Sequence, residues 1–384
     1  MRRARIGRAL LALIGHRADE ARELSAQDWQ TLDAMAEQHR LQPFLHHRSQ
    51  REELPQAPET VRAAWRQAYE ANGIAVLAQR RALLRAVGVL SEHGIGAVAL
   101  KGSALAWMVW PEPASREMRD IDLLVAADDA PRAYGALLAA DWEGPALSEQ
   151  DAQRFALEQT HFPALVSPEG VQCELHAHVW LRPAVPNMAM PDPCDERFLG
   201  NARYEEQLGA AVPGTQDMLA HLVVHAASSH LLNVGPGALI DIDLWCARKL
   251  VDWRAFWERA QCTGYARPAA LVFALVDRWR REGFLEEARC PVRVSDALLD
   301  RSELLMVQDL DQRKDAYALS SFRLGSARGK VAQDALDKAA KPVSKVQRMG
   351  QLMQRSASLT RSLLRRDTRQ TARSTAALRD WLSG

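Results

Sequence analysis

The chain has 384 residues, 47% hydrophobic and 25% charged, with 49 Lys and Arg against 48 Asp and Glu for a net charge of +1. That length allows two or three folding units with a sizeable core, and the balanced charge gives no electrostatic ground for a nucleic-acid partner. No apolar run approaches the ~20 residues needed to span a bilayer, and five scattered cysteines without a CxxC pair read as reduced thiols of a cytoplasmic protein. The first residues, "MRRARIGRALLALIGHRADEA", have the basic start and short apolar stretch of a leader. They lack a small-x-small cleavage site and run into charged helical sequence, so a helix of the mature chain is expected.

Residues 1–94 read as an N-terminal helical region. Leu10, Leu11, Leu13 and Ile14 form one apolar stripe; Trp29, Leu32, Met35 and Ala36 form another behind Ser25 as N-cap. "PQAPET" (55–60) is a turn, and a long helix follows until His93-Gly94. From residue 95 the period changes. "IGAVAL" predicts a short buried strand, residues 103–110 a helix broken by Pro111 and Pro113, "DIDLLV" a second buried strand, and Pro131 the start of another helix. "HFPALV" (161–166), "SPEG" and "VQCELHAHVW" (171–180) predict a β-hairpin. A proline-rich excursion, "LRPAVPNMAMPDPCDE", follows. Segments 95–200, 201–300 and 301–384 are therefore expected to be a small sheet with flanking helices, a helical domain, and a helical, basic, partly disordered tail. From Val343 the tail holds nine Lys and Arg against two acids, with a weak stripe of Leu352, Leu359, Leu363 and Leu364. It reads as a solvated helix, with weak contact to an anionic surface as the sharper alternative. A tail of that kind should be removable after Lys341 without unfolding the rest.

"LKGSALAWMVWPEPASREMRDIDLLV" carries the chemistry. Strand side chains alternate, so Asp120 and Asp122 share a face while Ile121 and Leu123 take the other. Two carboxylates about 6–7 Å apart along a strand repel unless a cation lies between them. Magnesium suits that place, because it takes oxygen ligands and completes its shell from water and substrate phosphates. In "VQCELHAHV", Gln172, Glu174, His176 and His178 share the polar face, which makes Glu174 a third acid and His176 its neighbour. Gly102-Ser103, between strand and helix, could receive a phosphate on free backbone N–H groups and the Ser103 hydroxyl. "IDIDLW" (240–245) repeats Asp-x-Asp on a helical pattern, where Asp241 and Asp243 diverge by about 200° and cannot converge on one ion. His225 and His230, five apart, read as a polar seam between helices.

This combination resembles the nucleotidyltransferase fold of the DNA-polymerase-β superfamily. More closely, the chain resembles the bacterial uncharacterised nucleotidyltransferases, through Leu100-Lys101-Gly102, Arg116 to Val125 and Glu174-Leu175-His176. The likeness extends from "HGIGAVALKG" to "HLVVHAASSH" and "DIDLWCARKLVDW" and fades after about residue 290. It implies an α/β (α+β) fold, a small mixed sheet of nucleotidyltransferase topology between N- and C-terminal helices. It implies Asp120, Asp122 and Glu174 as catalytic metal ligands for one or two Mg²⁺ ions, an NTP as substrate, and Glu174 helping to activate an acceptor hydroxyl. Lys101, Gly102, Ser103 and Arg116 are the implied phosphate-binding residues. The acceptor is a small molecule, glycan precursor or peptide, and AMP transfer to a protein or an inactive scaffold that binds nucleotide or a partner are the alternatives. A nucleic-acid acceptor is disfavoured, because no basic stripe with interleaved aromatics occurs outside the tail. Asp120→Asn or Asp122→Asn should each abolish metal-dependent NTP binding yet leave the metal-free chain at least as stable, since repulsion is relieved.

Overall fold

The computed structural model describes residues 2–180, 195–310 and 366–384. The proline-rich excursion at 181–194 and the leucine stripe of the tail therefore lie outside the described residues. Six strands form one mixed sheet: β1 (Val98–Leu100), β2 (Asp120–Leu124), β3 (Leu165–Val166), β4 (Gln172–His176), β5 (Arg203–Glu205) and β6 (Ala210–Val212), in the order β3-β4-β2-β1-β6-β5. β2 runs antiparallel to β1 and parallel to β4, and β1 runs parallel to β6. The expected hairpin is present as β3 against β4. β5 and β6, which the residue pattern did not reveal, lie beyond residue 200 yet pair into the same sheet. Each is three residues long, too short for an alternation to register.

The first helix, Arg2–Leu13, buries Ile6, Leu10, Leu11 and Leu13 as its stripe requires. Ser25 caps the next helix, Ala26–Gln38, in a reciprocal capping box with Asp28. Helix Glu59–Glu92 runs 34 residues to His93, and Gly94 then takes φ +69, the left-handed conformation that glycine adopts without penalty. Its buried polar residues hold the lead-in to β2. Asn72 Nδ2 donates to the Ala114 carbonyl at 2.7 Å, and Gln79 Nε2 to that of Met118 at 2.9 Å. These two bonds fix the loop between Pro111 and Asp120 from one side and so aim the Asp-x-Asp strand.

The helical pattern after residue 213 resolves into four helices and a widened turn. Helix Thr215–Val224 passes into a π-helical turn at His225–Ser229. The run from Ile240 divides into Gly237–Arg248 and Trp253–Thr263, the second capped by Asp252, whose carboxylate accepts from the Ala255 N–H at 3.1 Å. Helix Ala266–Trp279 is buried along most of its length. The end of the basic tail, Arg366–Ser383, packs on helix Asp296–Met306 and buries Leu378 and Leu382 in the main core. Arg267 Nη1 donates to the Trp381 carbonyl at 2.8 Å. This last segment contributes apolar surface to the core, which argues against removing it together with the rest of the tail. No helix among the described residues is long and apolar enough to cross a membrane, and Cys173, Cys246, Cys262 and Cys290 are free thiols.

Candidate active site

β1, β2 and β4 place the carboxylates. Ile121, Leu123, Cys173 and Leu175 go into the core, so Asp120, Asp122, Glu174 and His176 take the opposite face. Register pairs Asp122 with Glu174 and Asp120 with Gln172 across the parallel β2–β4 ladder. The closest convergence is Asp122, Glu174 and His176, whose potential ligand atoms all lie within 4.8 Å of one another. His176 Nε2 is 2.9 Å from Asp122 Oδ1 and 3.7 Å from Glu174 Oε2. Lys101 Nζ donates to the same Asp122 Oδ1 at 2.7 Å, and the Asp122 N–H donates to Ser103 Oγ at 2.8 Å. The strand-to-helix junction thus grips Asp122 at both ends. Lys101 pays for this position with φ +44, a backbone region that non-glycine residues seldom enter.

The electrostatics separate the two aspartates. Burial pushes Asp122 up, but the Lys101 ammonium and the His176 hydrogen bond outweigh it and hold the carboxyl well below the aspartate range. Asp120 is raised, by burial first and then by the like charges of Asp122 and Glu174. Among the described residues nothing hydrogen-bonds its carboxylate, and Lys101 and Arg40 oppose the shift only through space. Glu174 is lowered, chiefly by the His176 ring 3.7 Å away and against the pull of burial. For His176 itself, burial and Lys101 act downward, but the hydrogen bond to Asp122 and the nearby Glu174 carboxylate prevail and its pKa is raised.

The residues expected to hold phosphate are partly engaged with the protein itself. Arg116 makes a two-pronged ion pair with Asp241, Nε to Oδ1 and Nη2 to Oδ2, each at 2.8 Å. The indole of Trp110 donates to the same carboxylate at 2.7 Å. The remaining Arg116 nitrogen lies against Gly102, where an added Cβ would stand 2.2 Å from Nη1 and 2.7 Å from Met118 Sδ. Glycine is therefore needed here for the protein's own packing, before any ligand is considered. Ser103 is buried with its oxygen accepting from Asp122, which leaves its hydroxyl proton to give.

Asp241 and Asp243 diverge as helical geometry requires. Asp243 turns away to Arg280 and Arg281 at 2.7 and 2.8 Å. Asp241 still belongs to the site's framework through Arg116, a link between residues 125 positions apart that no local pattern announces. His176 was legible as a neighbour of Glu174 from strand alternation, whereas His161, 3.9 Å from Glu174 Oε2, carried no signal before β3 and β4 were paired.

No curated protein matches the chain. A family model described as uncharacterised nucleotidyltransferase matches residues 25–281. That span holds all six strands, the Asp-x-Asp pair, Glu174 and the Arg116–Asp241 brace. The chain belongs to this nucleotidyltransferase family.

Proposed function

We propose that the chain moves a nucleotidyl group from an NTP to an acceptor hydroxyl, with a divalent cation held by Asp120, Asp122 and Glu174. The observation that carries this reading is the meeting of Asp122, Glu174 and His176 within 4.8 Å beside the Lys101–Ser103 helix start. The residues fit a dication: two carboxylates sit in register on adjacent strands, and Asp120 is raised by burial and then by their like charge, the second of which a positive ion relieves. Such an ion, magnesium by its preference for oxygen donors, would neutralise charge on the phosphates and the departing oxygen. His176 Nδ1 is buried and without a partner. Histidines that ligate metals normally give their second ring N–H to an acceptor. His176 therefore suits a positioning role, its Nε2–H fixing Asp122 and Glu174, better than that of third ligand.

The chain's groups then divide the work. Lys101 and the free Arg116 nitrogen neutralise phosphate charge, with Ser103 donating its hydroxyl. Glu174, kept ionised by His176, accepts the proton of the acceptor hydroxyl as its oxygen bonds to the α-phosphorus. The bond from that phosphorus to the bridging oxygen breaks, and pyrophosphate leaves with the electron pair. The acceptor is a small molecule, glycan precursor or peptide, and the compartment is the cytoplasm.

Melting the protein with each of the four NTPs, with and without Mg²⁺, tests the reading; an Mg²⁺-dependent rise with at least one NTP is expected. No rise with any NTP would leave an inactive scaffold. Glu174→Gln should lower kcat by about 10²–10⁴-fold with little change in NTP affinity. Equal losses would make Glu174 a ground-state ligand instead.

A further inference from the structure

A cavity of about 460 Å³ lies away from the Asp-x-Asp strand, between the N-terminal helices and helix Gly237–Arg248. Four guanidinium groups face it, from Arg48, Arg51, Arg248 and Arg280. Their carboxylate partners are too few. Arg48 and Arg51 share Glu53, each through Nε at 2.9 Å, and Arg48 Nη1 also donates to the Leu13 and Gly15 carbonyls at 2.6 and 2.9 Å. Arg280 shares Asp243 with Arg281. Arg248 has no carboxylate partner among the described residues; its one contact is a long 3.5 Å bond to the Trp110 carbonyl. Arg280 Nε is buried and makes no hydrogen bond, although its other nitrogens reach Asp243 and the Ile14 carbonyl.

We propose that this cavity binds a phosphorylated small molecule, its phosphate held by these arginines and its apolar body set against Phe44 and Leu244. Guanidinium forks match the oxygens of a phosphate dianion and give charge-assisted, paired hydrogen bonds. The volume exceeds what a bare phosphate fills and falls in the range of small-molecule sites, ~300–1,000 Å³. Phe44 is buried, with the Arg280 guanidinium 5.6 Å from its ring centre and Trp110 edge-on at 5.3 Å. This makes a rigid apolar floor beneath a cationic rim. The site is distinct from the catalytic carboxylates, because none of Asp120, Asp122 and Glu174 is among the residues that line it. It does not rest on the proposed transfer reaction.

The test uses the full chain in EDTA without nucleotide, so that metal-dependent binding is silent. Melting is followed against inorganic phosphate, phenyl phosphate and benzoate, with chloride at matched ionic strength as reference. Phosphate should raise the melting temperature saturably, and phenyl phosphate should act at several-fold lower concentration. Arg51 and Arg248 are solvent-exposed, so R51Q/R248Q should melt like wild type in chloride and bind phenyl phosphate about tenfold more weakly or worse. Glu53→Gln, which removes the competing carboxylate, should tighten binding. Asp122→Asn should leave it unchanged. No difference between phosphate and chloride, an equal response to benzoate, or a response lost in Asp122→Asn and kept in R51Q/R248Q would each overturn the proposal.

Discussion

Asp122→Asn should destabilise the metal-free protein and Asp120→Asn should not, although the two residues share a strand face. Charge repulsion alone predicts that either change is neutral or stabilising. The structure corrects this for Asp122. Its side chain is 6% exposed and that of Lys101 is 14% exposed, at 2.7 Å. Removing one partner of a buried pair costs ~3–5 kcal/mol. Asparagine keeps one oxygen for Lys101, so the cost falls at or below the bottom of that range, about 2–3 kcal/mol. Asp120 has no hydrogen-bond partner among the described residues and is raised by burial and its neighbours. Neutralising it should leave stability unchanged or add up to ~1 kcal/mol. Urea unfolding in EDTA of wild type and both variants measures the difference. Lys101→Met should also destabilise, and the Lys101→Met/Asp122→Asn double variant should lose less than the sum of the single losses. An Asp122→Asn protein as stable as wild type would refute the argument, as would one no less stable than Asp120→Asn.

Three further outcomes follow from the same geometry. Asp241→Asn should cost about 3 kcal/mol by leaving the Arg116 guanidinium buried without its carboxylate, and should weaken NTP binding as that side chain loses its brace; unfolding and nucleotide titration read the two effects. Gly102→Ala should cost ~1–3 kcal/mol by overpacking, since the new methyl meets Arg116 at 2.2 Å and Met118 at 2.7 Å, and its NTP affinity should fall more than that of Gly96→Ala, where no atom stands within 4 Å. His39 is 7% exposed, and burial lowers its pKa from 6.5 to about 4. The unfolded chain therefore binds a proton that the native form refuses: stability should fall as pH drops below 6.5 and level off below about 4, by ~3 kcal/mol from this residue. His221 and His225 are shifted the same way. Unfolding from pH 7.5 to 4 should lose part of its slope in His39→Gln, and an identical slope would refute the assignment.

Residue order alone determined the parts whose signal is local. Alternation in "DIDLLV" and "QCELH" put Asp120, Asp122, Glu174 and His176 on polar faces, because a strand has a period of two whatever it pairs with. The strand–Lys-Gly-Ser–helix junction and the stop at His93-Gly94 were legible for the same reason, and helical geometry separated Asp241 from Asp243. Tertiary structure decided which charges meet. That Lys101 lies on Asp122 while Asp120 stays without a partner depends on the twist and register of three strands, and both aspartates look alike in sequence. The Arg116–Asp241 pair joins residues on a loop and a distant helix, and burial rather than proximity in the chain makes it consequential. β5 and β6 were hidden because three-residue strands owe their conformation to the ladder they join rather than to their own side chains.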